Sequence, residues 1–156
     1  MHMVTDVIEK QVVLRAPRSR VWKALSNAKE FGSWFGTKLE GGEFTPGAHV
    51  QGPITHKGYE HLMWNVTIER VEPEWHLSWR WHPSAIDANV DYSGEPTTLV
   101  VFELTEVPEG TLLRVTESGF DRLPPERRAY AFRSNEEGWQ IQTENIAKHL
   151  GVSSGG

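Results

Sequence analysis

Cysteine is absent from the 156 residues, which excludes disulfides, thiolate-ligated zinc or iron–sulfur sites and a cysteine nucleophile. No stretch approaches the ~20 apolar residues of a membrane-spanning helix, and the N-terminus lacks a signal-peptide core. Basic runs are also missing, and the formal net charge is −5, whereas nucleic-acid binders present basic stripes. We therefore expect no membrane insertion and no nucleic-acid partner. The lack of cysteine is compatible with a reducing, cytoplasmic location.

The length and composition are typical of one globular domain. Hydrophobic residues make up 38% and charged residues 24% of the chain, which is ordinary for a folded protein. We expect a single domain over residues 4–151, with flexible termini at 1–3 and 152–156. The unusual number is seven tryptophans, where about two or three are expected. So many indoles require a large apolar interior or a cavity.

The N-terminal third predicts a strand, two short helices and a loop-rich region. Alternation predicts a strand over residues 6–14, and Pro17 opens a helix that runs to residue 26. A second short helix is expected over 28–35. The stretch 36–58 is rich in glycine and proline and predicts two short strands, 38–40 and 49–54.

The middle of the chain predicts antiparallel hairpins. Apolar residues alternate with polar ones over 62–69 and again over 75–82, on the two sides of a turn at Pro73. The inward set of the second strand is expected to be Trp75, Leu77, Trp79 and Trp81. A polar loop is expected over 83–96, followed by strands over 97–105 and 111–118. Both faces of the strand 97–105 carry apolar groups, so its inward face stays open.

The C-terminal segment predicts one long helix from about Pro125 to Leu150. Its inward stripe at spacings of three and four consists of Phe132, Asn135, Trp139, Gln142, Ile146 and Leu150. Two neutral amides, Asn135 and Gln142, thus face the sheet. Because a buried amide is costly without a partner, they either bond to sheet groups or face a cavity that holds water or ligand.

This order of elements predicts an α+β fold with a curved antiparallel sheet of six or seven strands around a long C-terminal helix. Local runs at residues 16–25, 31–35, 71–74, 117–120 and 135–146 resemble the START-like superfamily of helix-grip folds. The nearest branch resembles the activator of Hsp90 ATPase and polyketide cyclase group. The resemblance implies a cavity between sheet and C-terminal helix, used by family members for hydrophobic molecules. One departure is Glu137, which stands where relatives often carry the first of two glycines.

The leading functional hypothesis is the binding of a small hydrophobic ligand in that cavity, without catalysis or a cofactor. The predicted ligand-cavity residues are Trp34, Phe35, Trp64, Trp79, Trp81, Phe102, Asn135, Trp139 and Gln142. Asn135 and Gln142 would orient a polar group of the ligand. The null hypothesis for the tryptophans is ordinary core packing, and for the amides a bond to a neighbouring strand.

Two alternatives stay open. One is a cyclase- or hydrolase-type enzyme, for which Glu117, His61 and Asp121 are candidate acids or bases, although carboxylates at strand ends are mostly solvated. The other is a chaperone-associated module, which the resemblance alone implies. We expect no metal site, because no histidine pair has ligand spacing and His76 and His82 should face solvent. The sequence leaves the oligomeric state open, including a homodimer.

Overall fold

The computed structural model describes residues 6–83 and 90–151. Its strands are β1 (Val7–Leu14), β2 (His49–Pro53), β3 (Met63–Glu72), β4 (His76–Trp81), β5 (Thr98–Val107) and β6 (Gly110–Ser118). Its α-helices are α1 (Arg18–Ser26), α2 (Ala28–Phe35) and α3 (Pro125–Leu150), with a 3₁₀ turn at Phe120–Arg122. The predictions for both termini, and part of the predicted loop at 83–96, lie outside the described residues.

The six strands form one antiparallel sheet in the order β1-β6-β5-β4-β3-β2. Strands β1 and β2 therefore lie at opposite edges, and α1 and α2 connect them across one face. The pairing of β3 with β4 shifts between Ile68 and Arg70, and such an irregularity bends a strand and increases its twist. The predicted α+β fold with a curved sheet and a long terminal helix is confirmed.

Strand β3 follows the predicted alternation, whereas β4 is buried on both faces over residues 76–79. In β3 the buried residues are Trp64, Val66 and Ile68. The open question in β5 is settled, because Thr98, Val100, Phe102 and Leu104 are its buried residues. Gly110 at the β5–β6 turn lies close to β1, because a Cβ atom there would be 2.2 Å from the backbone oxygen of Leu14.

Three sequence predictions are wrong in detail. No strand forms at 38–40. Next to it lies an isolated bridge from Thr37 to Ile54, and Lys38 N donates to the Pro53 oxygen. Trp75 precedes β4 and is 44% exposed instead of facing inward. His76, expected to face solvent, is only 6% exposed. Burial, followed by the nearby charge of Arg70, lowers the pKa of His76.

Helix α3 extends about 39 Å across the concave face of the sheet. It begins at Pro125 and ends where Gly151 adopts a left-handed conformation. Phe132, Trp139 and Ile146 from the predicted stripe are buried. Because α2 also packs on this face, its last turn, the sheet and α3 enclose the region where the tryptophans gather.

Candidate functional site

Nine aromatic side chains between the sheet, α2 and α3 form what we call the aromatic cluster. Its members are Phe31, Trp34, Phe35, Phe44, Trp64, Trp79, Trp81, Phe102 and Trp139. Trp79 lies at the centre and is fully buried. Its ring centroid lies 5.1 Å from that of Phe102 and 5.4 Å from that of Trp64. The centre of the cluster is therefore filled by its own rings.

Open space lies at one edge of this cluster. A cleft of about 720 Å³, here called the larger cleft, runs between the end of α2, the segment after β2 and the middle of α3. Its apolar wall includes Trp34, Phe35, Trp81 and Trp139. Tyr59 and Ile141 are half exposed and extend that wall. The volume is typical of a site for a small organic molecule.

A second cleft of about 510 Å³, the smaller cleft, adjoins the first. Trp64 lines it together with Asn65 and Met63. Four residues line both clefts, namely Ile54, Trp81, Ser134 and Asn135. The two spaces therefore meet at Trp81 and Asn135.

The larger cleft owes part of its space to Gly138, which lies in the middle of α3 and lines it. A Cβ atom at this position would meet no atom within 4 Å. Glycine lowers helix stability by about 0.5–1 kcal/mol relative to alanine, and close packing does not require it here. The fold of α3 does not require glycine at position 138, but the missing side chain enlarges the larger cleft.

A fully buried carboxylate, that of Glu117 on β6, lies directly behind the cleft wall. Trp81 Nε1 donates to Oε2 at 2.8 Å, and Trp139 Nε1 donates to Oε1 at 2.8 Å. Thr98 Oγ1 donates at 2.5 Å, and Asn135 Nδ2 lies 3.0 and 3.1 Å from the two oxygens. We call these five residues the Glu117 cluster. We expected a solvated carboxylate at this strand end, and that expectation is wrong for Glu117.

The side chains that donate hydrogen bonds to Glu117 are all neutral. Among the residues that the structure describes, no lysine, arginine or histidine forms an ion pair with Glu117. A buried carboxylate without partners would be very costly, whereas each hydrogen bond to a charged group contributes about 1.5–3 kcal/mol. Four donors around one carboxylate therefore make its burial tolerable. They also fix the orientation of two indoles of the cleft wall.

The two inward amides both bond to neighbours and both line the larger cleft. Asn135 uses its amino group on Glu117, while its Oδ1 accepts no hydrogen bond from the described part of the chain. Gln142 donates to the backbone oxygen of Phe35 at 2.8 Å and accepts from Asn145 at 3.1 Å. Gln142 thus ties α3 to the end of α2, and Asn135 keeps a free acceptor.

The structure brings seven of the nine predicted residues to the two clefts. Trp34, Phe35, Trp81, Asn135, Trp139 and Gln142 line the larger cleft, and Trp64 and two of these line the smaller. Trp79 and Phe102 line neither and pack in the centre of the aromatic cluster. The sequence pattern did not predict Gly138 or Ser134 as cavity residues, nor Glu117 as the acceptor behind the cavity wall.

The other candidate acids and bases lie elsewhere. His61 and Asp121 are exposed and line neither cleft. Asp121 pairs with Asp6: a side-chain hydrogen bond between them raises the pKa of Asp121 and lowers that of Asp6. Within residues 6–83 and 90–151, no group of three or more histidine, aspartate or glutamate side chains could hold a metal ion. No helix in the same ranges is long and apolar enough to span a membrane.

A curved sheet gripping a terminal helix, with a cleft between them, defines a helix-grip domain of the START-like superfamily. Residues 15–151 match the family described as activator of Hsp90 ATPase homolog 1-like protein, and the chain belongs to that family. No curated protein matches the chain.

Solved structures share the fold. Protein MLL2253 from Mesorhizobium loti is 23% identical with a TM-score of 0.72, covering 93% of this chain and 96% of that one. BH1534 from Bacillus halodurans is 21% identical with a TM-score of 0.68, covering 92% and 96%. DynU16, a protein in the dynemicin biosynthetic locus, is 24% identical with a TM-score of 0.71. The match covers 96% of this chain but 48% of DynU16.

Proposed function

We propose that this protein binds a small, largely hydrophobic molecule in the larger cleft, with an aromatic part of the ligand against Phe35, Trp81 and Trp139. The observation that carries the proposal is an apolar-walled space of about 720 Å³ at the edge of a filled aromatic cluster. Apolar walls with a few polar groups are the usual composition of small-molecule sites. Membership of a helix-grip family agrees with this use of the cleft.

The polar contacts available to such a ligand are few and specific. Asn135 Oδ1 is the free acceptor of the inward amides, and Ser134 offers a hydroxyl beside it. Gln142 holds the end of α2 and acts on the ligand by positioning Phe35. A ligand with a hydrogen-bond donor near its aromatic part suits this arrangement.

Binding is favoured over catalysis by the hydrogen bonding of Glu117, the one buried carboxylate within residues 6–83 and 90–151. Both oxygens of Glu117 accept from four side chains, and Glu117 itself lines neither cleft. A general acid or base must reach the proton that it transfers. The chaperone-associated alternative is carried by the family description alone, and a pull-down with Hsp90 would decide it.

The proposal is tested by filling the cleft without disturbing the core. Leucine at position 138 should occupy open space, because a Cβ there meets nothing within 4 Å. We expect Gly138→Leu to weaken binding of naphthalene- and indole-based compounds at least about tenfold in isothermal titration, with no loss of thermal stability, since helix propensity improves. The matched control is Gln140→Leu, on the exposed face of the same helix, which should bind like the parent chain.

Two results would contradict the proposal. One is an absence of saturable binding for every compound of the panel. The other is equal affinity in Gly138→Leu, Gln140→Leu and the parent chain, which would place any bound compound outside the larger cleft.

A further inference from the structure

The Glu117 cluster places a negative charge directly behind the wall of the larger cleft. Glu117 is fully buried, and its partners Trp81, Asn135 and Trp139 all line the cleft while bonding to the carboxylate at 2.8–3.1 Å. One layer of side chains thus separates the carboxylate from the cleft. Because a buried charge is screened far less than an exposed one, its field extends into the cleft.

The rings of this wall are also suited to a positive charge. The centroids of Trp81 and Trp139 lie 6.0 Å apart, and that of Phe35 lies 6.0 Å from Trp139 and 6.4 Å from Trp81. Aromatic faces attract cations, and tryptophan does so most strongly. Both indoles donate their N–H groups to a carboxylate, which increases the electron density of the rings.

Two of the polar features around the cleft favour a cation, and two exposed residues oppose it. Asn135 Oδ1 is an acceptor, and the C-terminal end of α2 at Phe35 carries the negative pole of a helix dipole. Opposing them are Lys57 and His56, which also line the cleft. Both are exposed, so solvent and salt screen them more strongly than they screen Glu117.

We infer that the larger cleft selects hydrophobic organic cations: aromatic molecules that carry a quaternary or protonated nitrogen. The aromatic part lies against Phe35, and the charged nitrogen lies against Trp81 and Trp139 in front of Glu117. This inference rests on the proposed function, since it names the class of ligand for the same cleft.

The experiment compares three probes of nearly equal shape by isothermal titration at low salt. They are the cation naphthylmethyl-trimethylammonium, its uncharged carbon isostere neopentylnaphthalene, and the anion naphthylmethanesulfonate. We expect the cation to bind about tenfold more tightly than the isostere, in the range of cation–π contacts, and the anion to bind most weakly. Equal affinity for cation and isostere would overturn the inference and leave the proposed function standing. Absence of binding by all three would overturn both.

Variants then assign the preference to Glu117. In Glu117→Gln the ratio of the isostere's dissociation constant to the cation's dissociation constant should fall toward one. The matched control, Glu109→Gln, removes the same charge at the far, exposed end of the β5–β6 hairpin and should keep the ratio. A ratio that persists in a folded Glu117→Gln protein refutes the role of the carboxylate.

Glu117→Gln leaves at least one indole N–H without an acceptor. If this variant does not fold, a second variant tests the same inference. Lys57→Gln removes an exposed opposing charge at the cleft mouth. We expect it to raise the cation-to-isostere preference about two- to threefold. A preference that stays constant or falls in Lys57→Gln would refute an electrostatic origin.

Discussion

The indoles of Trp79 and Trp139 both lie between the sheet and α3, and both are buried, but their surroundings differ. Trp79 is enclosed by rings from α2, β3, β4, β5 and α3, with centroid distances of 5.1–6.4 Å. Trp139 donates its Nε1–H to the Glu117 carboxylate and lines the larger cleft. One half of the aromatic cluster is thus closed, and the other half is open.

The difference between the halves lies in the residues around the rings. On the closed side, rings from three strands, α2 and α3 surround Trp79 and leave it fully buried. On the open side, Gly138 contributes no side chain and Ile141 points partly into solvent. Many indoles therefore do not by themselves create a cavity. A cavity appears where a small residue faces them.

Truncation of one side chain in each half should give the largest difference between the halves, measured as the free energy of unfolding. Trp79→Ala removes a fully buried indole from the closed half, and we expect it to lower the free energy of unfolding by about 3–5 kcal/mol. Ile141→Ala, in the wall of the open half and 54% exposed, should change it by less than about 0.5 kcal/mol. Urea unfolding measures both. Similar losses would mean that the two halves do not differ in packing.

The two glycines inside the helices should give effects of opposite sign. A Cβ at Gly32 in α2 would lie 2.2 Å from the backbone oxygen of Thr37, whereas one at Gly138 would meet nothing within 4 Å. Gly32→Ala should therefore cost about 1–3 kcal/mol through overpacking. Gly138→Ala should stabilise the protein by about 0.5–1 kcal/mol.

Thermal and urea unfolding of the two alanine variants provide the measurement, with each glycine serving as the control for the other. If Gly138→Ala destabilises the protein, then position 138 is packed and the open half is smaller than described. If Gly32→Ala is neutral, then the α2 turn can shift to admit a methyl group.

Alternation in β3 and β4 and the three-and-four spacing in α3 were sufficient to predict the sheet, the gripping helix and the placement of Trp64, Trp79 and Trp139 between them. These patterns report which face of an element is apolar, and burial follows from that. They do not report whether the space between two apolar faces is filled. The filled state around Trp79 depends on ring orientations set by contacts distant in sequence.

The Glu117 cluster could not be predicted for a similar reason. Its donors come from β4, β5 and α3, and only the β4–β5–β6 pairing brings them to one carboxylate. The available signal was that Glu117 stands at an odd position of β6, in phase with Leu113 and Val115. A charged residue on the buried face of a strand needs partners, and this phase would have placed Glu117 inside.

The smallest effect concerns the end of the open half, where ion pairs hold α2 against the other helices. Glu30 accepts from Arg20 of α1 at 2.6 Å and lies 2.7 Å from His149 of α3. Burial raises the pKa of Glu30, but the hydrogen bonds from His149 and Arg20 outweigh it, so its pKa lies below the ordinary 4.5. A carboxyl with a lowered folded-state pKa stabilises above its unfolded pKa and loses that contribution as the pH falls through the folded value.

Glu30→Gln should therefore cost stability at neutral pH, by less than about 1 kcal/mol for a partly exposed ion pair. The difference from the parent chain should shrink as the pH is lowered below about 4.5. Thermal unfolding from neutral pH to about pH 3 measures this, with the exposed Glu136→Gln of α3 as a charge-matched control. A difference that stays constant across the acid range would show that the carboxyl stabilises α2 without its charge. Packing and the hydrogen bond from Gln142 to the Phe35 oxygen would then hold α2 against α3 in the open half.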